Sequence, residues 1–219
     1  MKPFFKDHLT TIYCGDSRVI LKKIQKQELV LTDPPYGLGK AWKRKWHGNN
    51  GKTKMWGDIP EWDAKPIDLE LFAKVISAGK KAIIWGGNMY PTVATPGWLV
   101  WDKLQKTSRA ECELAWTNIG CASKVFRMTR TDSNINKVLF PKKHPNEKPI
   151  QLGLWCLKIA KPSSMIDPFI GTGNFLVAAR LLKIPSIGID INPSYCEEAL
   201  CRLLDNQTKQ VTKKEGFFA

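Results

Sequence analysis

Residues 28–37 read ELVLTDPPYG, an apolar run that ends in an aspartate followed by two prolines. The run Leu29–Leu31 predicts a short buried strand, which ends here because proline donates no hydrogen bond to a sheet. Asp33 is therefore expected at a strand end, where two prolines restrict the backbone after it and the ring of Tyr36 follows them. A carboxylate, fixed carbonyls and an aromatic face suit a flat molecule that carries an amino group. Taken alone, the same residues also fit an ordinary turn after a strand.

Strand and helix patterns alternate along most of the chain. The stretch 9–16 predicts a strand and the stretch 17–27 a short helix, directly before ELVLTDPPYG. This β-α-β rhythm predicts parallel strands and an α/β fold. Further elements are expected as helices at 68–78, 150–160, 173–182 and 193–204 and as strands at 81–87, 97–103, 112–119, 164–170 and 184–191.

The 219 residues contain no internal repeat and no linker that would divide them. One domain over residues 1–208 is therefore expected, followed by a polar tail at 209–219.

The chain is strongly basic: 34 Lys and Arg against 20 Asp and Glu give a formal net charge of +14. Such an excess indicates a polyanionic partner, most often nucleic acid, with a merely solvated basic surface as the alternative. Residues 38–62 interleave basic side chains with tryptophans, which suits phosphate contact plus base stacking, or else a loop whose tryptophans cover the core. Residues 120–143 form a second basic stretch. The candidate DNA-binding residues are Lys40, Lys43, Arg44, Lys45, Lys52, Lys54, Lys124, Arg127 and Arg130.

The six cysteines show no CxxC spacing, and the three histidines complete no metal-binding pattern. Reduced, mostly buried thiols and no metal are therefore expected. The first residues, MKPFFKDHLT, lack the apolar core of a signal peptide, and no run of about 18 apolar residues predicts a membrane span. We expect a cytoplasmic protein with no membrane partner.

The stretch MIDPFIGTGNFL, residues 165–176, predicts a strand, a glycine-rich turn and a helix, which together place a nucleotide-like ligand over a helix N-terminus. Asp190 follows seventeen residues after Gly173, at the end of another predicted strand, where a carboxylate can accept hydrogen bonds from ribose hydroxyls. The third glycine of a dinucleotide fingerprint is missing. This favours a ligand with adenosine but no pyrophosphate, such as S-adenosylmethionine, over NAD.

Four stretches in this order resemble the β-class amino-group DNA methyltransferases: LTDPPYG at 31–37, HPNEKP at 144–149, DPFIGTG at 167–173 and GIDINPSY at 188–195. In that family the catalytic motif precedes the cofactor motifs. The resemblance implies a single Rossmann-like S-adenosylmethionine-dependent methyltransferase domain, with a mostly parallel central sheet and a circularly permuted motif order.

Site residues are implied by the matched motifs. The implied catalytic tetrad is Asp33, Pro34, Pro35 and Tyr36. The implied cofactor-binding residues are Asp16, Lys148, Asp167, Pro168, Phe169, Gly171, Thr172, Gly173, Asn174 and Asp190. Among these, Lys148 is expected beside the cofactor carboxylate and Asp190 on the ribose. Departures from the family pattern are Thr172 and Asn174 in the glycine loop and Asn146 in the lysine motif.

Three further segments take their interpretation from the resemblance. Residues 38–62 would face DNA, and residues 120–143 would form a short target-recognition region. The segment ECELAW at 111–116 resembles the strand that closes the family's sheet, and no chemistry is assigned to it.

The implied reaction moves the methyl group of S-adenosylmethionine to the exocyclic amino group of adenine in duplex DNA, with the base flipped out. A tetrad that begins with Asp favours adenine, because cytosine-amino relatives more often begin with Ser. The alternatives are cytosine-N4 methylation, an RNA or protein-amide substrate, an inactive DNA-binding homologue, and an NAD-dependent oxidoreductase. We expect a bacterial or phage-type protein of the restriction-modification kind, monomeric or homodimeric, with a short or degenerate recognition site.

Overall fold

A computed structural model describes residues 1–37, 65–105, 110–129 and 147–205, and the backbone of two short strands at 46–47 and 53–54. Most of the predicted DNA-facing loop, the second half of the region 120–143 and the tail at 209–219 lie outside these residues.

The described strands form one large sheet and a separate hairpin. In chain order they are β1 Phe5–Lys6, β2 Thr10–Cys14, β3 Gln27–Thr32, β4 Trp46–His47, β5 Thr53–Lys54, β6 Gly79–Trp85, β7 Trp98–Asp102, β8 Cys112–Thr117, β9 Lys124–Arg127, β10 Met165–Asp167 and β11 Ser186–Asp190. The large sheet has the order β1-β2-β11-β10-β3-β6-β8-β7-β9, and β4 pairs with β5.

The centre of the large sheet is parallel. Strands β2, β11, β10, β3 and β6 run in one direction, as their pairings show. The flanks are mixed: β1 pairs antiparallel with β2, β8 pairs antiparallel with both β6 and β7, and β9 pairs parallel with β7. Since β8 is antiparallel to both β6 and β7, strand β7 and its parallel partner β9 run in the same direction as the central strands.

The helices are α1 Ser17–Ile20, α2 Leu69–Ser77, α3 Ile150–Ala160, α4 Asn174–Leu181 and α5 Pro193–Leu204, with 3₁₀ turns at Leu21–Lys23 and Gly87–Met89. Polar caps mark several of their starts. The Asp68 side chain accepts a hydrogen bond from the Leu71 N–H, and the Asn192 side chain accepts one from the Ser194 N–H. These bonds satisfy amides that have no partner inside the helix.

Both faces of the sheet are covered, and successive residues of one strand belong to different cores. On β3, Leu29 and Leu31 pack into the core that also contains apolar residues of α3, α4 and α5. Val30, between them, packs into the core that contains residues of α1 and α2. Side chains alternate across a strand, so burial on both faces explains why these strands are continuously apolar.

The predicted fold class is confirmed: the chain folds as a mixed α/β structure with a mostly parallel central sheet. The circularly permuted motif order stays a prediction. Most elements lie where the sequence predicts them, within a few residues at each end.

The structure differs from the sequence analysis in three details. The helix after Asp16 is a single turn followed by a 3₁₀ turn, because Gln25 and Lys26 already lead into β3. The stretch 120–143, which shows no clear periodicity, contains the edge strand β9. The ECELAW strand β8 does not close the sheet but lies inside it, between β6 and β7.

The cysteines also differ from the expectation that most are buried. Cys156 and Cys196 are buried and Cys121 is half-buried, but Cys14, Cys112 and Cys201 are exposed. Each of the exposed three lies at an end of a strand or on the outer face of α5, where packing covers the side chain less. No helix within the described ranges is long and apolar enough to cross a membrane. In the same ranges, no cluster of His, Cys, Asp or Glu is arranged to hold a metal ion.

Candidate active site

One edge of the sheet collects acidic side chains. The carboxyl ends of the parallel strands meet at this edge, and Asp16, Asp190, Asp167 and Asp33 lie at the ends of β2, β11, β10 and β3. A cavity of about 270 Å³ lies there. Its walls include these predicted residues: Asp16, Asp33, Pro34, Pro35, Tyr36, Lys148, Asp167, Phe169, Gly171, Thr172, Asn174 and Asp190.

The cavity also has walls that the sequence analysis missed. They are Ser17, Arg18, Ile67, Leu71, Glu147, Ile170, Phe175, Ile191 and Tyr195. Most are direct neighbours of predicted residues, and Ile191 is a large apolar side chain that is 64% exposed. The sequence contains part of this signal, since an apolar residue directly follows the strand-end acid Asp190, but its exposure is known only from the structure.

Two predicted cofactor residues, Pro168 and Gly173, do not line the cavity. A Cβ on Gly173 would lie 2.6 Å from the Cβ of Ala199 in α5, and its φ of +83° is left-handed. Glycine is therefore required there for the turn and for close packing of a helix. The Pro168 carbonyl accepts a 2.6 Å hydrogen bond from the buried Ser17 hydroxyl. Both residues therefore stabilise the glycine loop through contacts outside the cavity.

The ring of Tyr36 lies against the backbone of Gly86, the residue after β6. A Cβ on Gly86 would come within 1.9 Å of a ring atom of Tyr36, and the φ of Gly86 is +66°. Tyr36 also forms an isolated antiparallel bridge with Pro66. The glycine after β6 therefore determines how deep the ring sits in the cavity wall.

A second tyrosine holds the proline backbone. The Tyr90 hydroxyl donates a hydrogen bond to the Pro35 carbonyl. The Tyr90 ring is stacked on Phe72 of α2, with ring centroids 4.3 Å apart and planes 10° apart. Because a stacked ring has little freedom, the hydroxyl holds the Pro35 carbonyl in place. Tyr90 lies outside the motifs that the sequence analysis recognised.

Lys148 lies deep in the site, with only 6% of its side chain exposed. Its ammonium donates to the Asp33 carboxylate and lies 3.1 Å from Glu113 Oε2. Burial by itself would lower the pKa of Lys148, but the two carboxylates outweigh burial and raise it. Lys148 is therefore charged at neutral pH. Its predicted place beside a cofactor carboxylate stays a prediction; the structure adds a direct contact with Asp33.

Glu113 of β8 is a site residue to which the sequence analysis assigned no chemistry. Its carboxylate lies between Lys148 and Lys103, whose Nζ is 2.6 Å from Glu113 Oε1. Burial would raise the pKa of Glu113, but the two ammonium groups lower it to about 2. In the sequence, the only indication of this role is that the predicted strand ECELAW contains a glutamate. Because β8 lies inside the sheet, its first residues, including Glu113, lie at the same edge as the cavity.

Asp167 is buried, with 2% of its surface exposed, and one of its carboxylate oxygens accepts hydrogen bonds inside the protein. Its Oδ1 accepts a 2.6 Å hydrogen bond from the Thr32 hydroxyl and a 3.0 Å bond from the Phe169 N–H. Burial raises the pKa of Asp167 to about 7, more than these two bonds lower it, and the charges of Asp33 and Asp190 add to the rise.

Asp190 accepts a backbone hydrogen bond at each carboxylate oxygen. The donors are the Asn192 N–H and the Gly171 N–H, both at 2.9 Å. Burial raises the pKa of Asp190 to about 6 despite these bonds. An ionised carboxylate has about four acceptor positions, so each oxygen can still accept from a ligand hydroxyl.

These acids fit a particular kind of ligand. Two buried carboxyls with raised pKa values lie at the same edge as Asp33, so a positively charged ligand would stabilise their ionised forms. Phe169, Ile170 and the exposed Ile191 provide apolar walls. The cavity therefore suits a cationic molecule with hydroxyl groups and a flat apolar part. S-adenosylmethionine is such a molecule.

Arg202 of α5 forms hydrogen bonds with two segments of the site, the glycine loop and the segment before α3. The sequence analysis did not identify it. It is 1% exposed, and its NH1 donates to the Thr172 hydroxyl at 3.0 Å and to Asn174 Oδ1 at 2.8 Å. Its NH2 donates to Glu147 Oε1 at 3.0 Å. Asn174 in turn donates to the Lys148 carbonyl at 2.8 Å. Thr172 and Asn174 are thus held by Arg202, which also fixes the segment that carries Lys148.

Of the predicted DNA-binding residues, Lys124 and Arg127 lie in described ranges. Both are exposed on the edge strand β9, and Arg127 lies 3.5 Å from Asp102. Arg127 ends β9 at the same sheet edge as the cavity, about four strand spacings, or ~19 Å, from β3. The others, Lys40, Lys43, Arg44, Lys45, Lys52 and Arg130, lie outside the described residues, and only the backbone of Lys54 is described.

Part of the chain is similar to a known protein family. Residues 99–200 match the DNA methylase family. The family model is that of the N6/N4 methylases, and the matched segment runs from β7 into α5. It therefore includes Glu113, Lys148, Asp167 and Asp190, whereas the tetrad at Asp33 precedes it.

The DNA methylase match is accompanied by similarity along most of the chain. The type II methyltransferase M.ScaI of Streptomyces caespitosus is 23% identical, over 92% of this chain and 84% of its own length. Among solved structures, the cytosine-N4-specific PvuII DNA methyltransferase has a TM-score of 0.60 at 17% identity, covering 97% of this chain and 93% of its own. The M1.HpyAVI–SAM complex has a TM-score of 0.59 at 18% identity, covering 89% and 100%. At these identities the structural likeness shows the fold.

Proposed function

We propose that this chain transfers the methyl group of S-adenosylmethionine to the exocyclic amino group of adenine in DNA. The observation that carries the proposal is the position of Asp33, whose carboxylate lies in the cavity that Asp167 and Asp190 also line and already binds a nitrogen donor, Lys148. The DNA methylase match and the similarity to M.ScaI support a DNA substrate.

The exocyclic amino nitrogen of a base is a poor nucleophile because its lone pair is delocalised into the ring. Asp33 and the Pro34 carbonyl each accept one of its two hydrogens, which draws the nitrogen toward tetrahedral geometry and frees the lone pair. Positive charge grows on the nitrogen as it attacks, so the Asp33 carboxylate stabilises the transition state. Tyr90 occupies the Pro35 carbonyl, which leaves the Pro34 carbonyl as the acceptor for the amino group.

Tyr36 provides the surface on which the base lies. Its ring lies against Gly86, and its backbone forms a β-bridge with Pro66. Stacking on an aromatic ring fixes the plane of the base, so that its amino group points toward Asp33.

The other half of the cavity would hold the methyl donor. Asp190 would accept hydrogen bonds from the ribose hydroxyls, and Asp16 with Ile191 would contact the adenine part. Asp167 and Phe169 would lie near the cationic end. When bound, S-adenosylmethionine supplies a methyl group on a positively charged sulfur. The protein's part is to hold the target nitrogen in line with that methyl group and to exclude water.

A base inside a duplex cannot reach this cavity, so we propose that the target base is flipped out, at a cost of about a few kcal/mol. The basic residues of the chain, including Lys124 and Arg127, would offset that cost through phosphate contacts. The predicted region 120–143 and loop 38–62 would share the reading of sequence.

Cytosine-N4 methylation is the second candidate. The PvuII enzyme, which shares this fold over 97% of the present chain, is described as cytosine-N4-specific. Cytosine and adenine present the same arrangement at the reacting edge, an amino group beside a ring nitrogen that accepts hydrogen bonds. Adenine is preferred here because the tetrad begins with Asp33.

The test is to incubate the protein with methyl-labelled S-adenosylmethionine and plasmid DNA, digest the DNA to nucleosides and identify the labelled one. We expect label on N6-methyladenine. Label on N4-methylcytosine would establish the second candidate, and no label on a DNA that the protein binds would indicate an inactive homologue.

The Asp33→Ala variant tests the assignment of the reacting group. It should lose transfer by roughly a thousandfold or more while it still binds S-adenosylhomocysteine, because the lost acceptor acts on the base. Glu28→Ala is the matched control, since Glu28 lies on the same strand at the opposite edge of the sheet, paired with Lys80. Normal turnover by Asp33→Ala would show that the tetrad is misassigned.

A further inference from the structure

Four charged side chains form a continuous row that starts at the cavity, where Asp33 and Lys148 are lining residues, and continues behind them to Glu113 and Lys103. Asp33 contacts Lys148, Lys148 lies 3.1 Å from Glu113, and Glu113 lies 2.6 Å from Lys103. Opposite charges alternate along the row, and the ammonium groups at its second and fourth places are almost fully buried.

The strand order of the sheet creates this row. Asp33 follows β3, Glu113 lies near the start of β8, and Lys103 follows β7. Since β8 is antiparallel to β6 and β7, its start lies at the same edge as the ends of β3 and β7. Lys148 approaches from the segment before α3 and reaches between Asp33 and Glu113.

Lys148 makes one of the two contacts that the proposed reaction assigns to the target amino group, the one with Asp33, and it lies beside Tyr36. Its N–H donates to Asp33, its Nζ is 3.4 Å from the Tyr36 hydroxyl, and it lies 5.6 Å from the centroid of the Tyr36 ring. An ammonium and an exocyclic amino group are both nitrogen donors, so they compete for the same carboxylate. A cation held on Asp33 also opposes the positive charge that grows on the attacking nitrogen.

We propose that Lys148 occupies the place of the target amino group in the free protein and passes to Glu113 when the base arrives. Glu113 is then a positioning residue, which acts through Lys148, and Lys103 holds Glu113 in place. This inference rests on the proposed function, since it concerns the group that Asp33 accepts.

The need for Glu113 follows from burial. An ammonium that leaves Asp33 inside the protein requires another anionic partner, because a buried unpaired charge is strongly unfavourable. Glu113 is already in contact with Lys148, so the exchange needs a small movement of one flexible side chain. Without the Glu113 charge, Lys148 stays on Asp33 and the base must compete with it.

The experiment is a double-mutant cycle, with transfer to plasmid DNA measured at saturating S-adenosylmethionine. Glu113→Gln should raise the KM for DNA by roughly tenfold, within the usual range for coupled buried pairs, with a smaller change in kcat. Glu113→Asp, which keeps the charge, should restore part of the loss. In a Lys148→Met background, where no ammonium competes for Asp33, Glu113→Gln should change KM by less than about twofold.

Controls separate this role from a structural one. Glu28→Gln removes a carboxylate that also has two lysine partners, Lys80 and Lys81, but lies at the opposite edge of the sheet, so it should leave KM unchanged. Each variant is first checked for binding of S-adenosylhomocysteine by calorimetry. Glu113→Gln leaves Lys103 unpartnered by Glu113 in both backgrounds, so that effect cancels in the cycle.

Two results would overturn the inference: an equal effect of Glu113→Gln with and without Lys148, or complete loss of transfer in a Lys148→Met variant that still binds S-adenosylhomocysteine. The first would make Glu113 a structural residue, and the second would give Lys148 a different, essential task. If the wild-type protein methylates no DNA at all, the proposed function itself fails, and the inference fails with it.

Discussion

The ring of Tyr36 occupies the space that a side chain on Gly86 would need: a Cβ there would come within 1.9 Å of ring atom Cε1 and 2.3 Å of Cζ. Two motifs that are fifty residues apart in the chain thus meet at the ends of the neighbouring strands β3 and β6. The contact is between ring and backbone, so it depends on the absence of a side chain at Gly86.

The substitution Gly86→Ala is therefore expected to displace the Tyr36 ring from the cavity. Loss of the stacking surface should reduce kcat/KM for DNA by roughly 10- to 100-fold, since stacking a base on an aromatic ring contributes about 1–3 kcal/mol. Binding of S-adenosylhomocysteine should change little. Steady-state kinetics and calorimetry measure the two effects.

Gly120→Ala is the matched control for that substitution. Gly120 has a similar left-handed φ of +76°, but nothing lies within 4 Å of a Cβ there. Both variants carry the same kind of backbone strain, at about 1 kcal/mol, and the clash belongs to Gly86→Ala alone. Equal losses of activity in the two variants would mean that strain, and not the Tyr36 ring, is responsible.

Removal of the Arg202 side chain should affect both stability and the cofactor half of the cavity. In Arg202→Met, the carboxylates of Glu147 and Glu198 lose the guanidinium that binds them. We expect unfolding to become easier by about 3–5 kcal/mol, as is usual when one partner of a buried ion pair is removed. Affinity for S-adenosylhomocysteine should also fall, because Thr172 and Asn174 lose their common donor. Urea unfolding and calorimetry measure these changes.

Arg180→Met provides the comparison for Arg202. Arg180 pairs with Asp7 at 2.6 Å, but both are partly exposed and lie away from the residues that line the cavity. Its loss should cost about 1 kcal/mol or less and leave S-adenosylhomocysteine binding unchanged. If Arg202→Met also left binding unchanged, Arg202 would serve to anchor α5 only.

Stability of the cofactor-free protein should fall as pH rises toward neutrality. Burial raises the pKa of Asp167 from 3.8 to about 7 and that of Asp190 from 3.8 to about 6. In this interval the folded protein binds more protons than the unfolded chain, so the free energy of unfolding decreases as pH rises. From about pH 5 to about pH 8, we expect a loss on the order of a few kcal/mol. Urea unfolding at both pH values measures it.

The substitution Asp167→Asn should remove much of that slope, because the amide does not titrate. Asp7→Asn is the control: burial acts against the shift, but Arg180 and the Leu9 and Thr10 N–H groups lower the pKa of Asp7 to about 2. Its stabilising effect is complete above its unfolded pKa of 3.8, so its removal leaves the slope unchanged. A slope that persists in Asp167→Asn would assign it to Asp190 or to other groups.

The sequence was sufficient to predict most strands and helices and the acidic residues of the site, because each of these depends on residues that are close together in the chain. Proline at 34 and 35 ends a strand wherever the chain goes, and an apolar run with a following Gly-rich turn predicts a strand and a helix. Since parallel strands present their carboxyl ends at one edge, the meeting of Asp33, Asp167 and Asp190 was foreseeable once the β-α-β rhythm was recognised.

The sequence by itself thus determined an α/β fold and the acidic edge of its sheet. Only the tertiary structure decided that Glu113 reaches Lys148, that Arg202 holds the glycine loop, and that Gly86 lies beneath Tyr36. The physical reason is that these contacts depend on strand order, on the antiparallel course of β8 and on the packing of α5. Residues far apart in the chain meet there, and no local pattern of apolar or polar residues encodes which of them become neighbours.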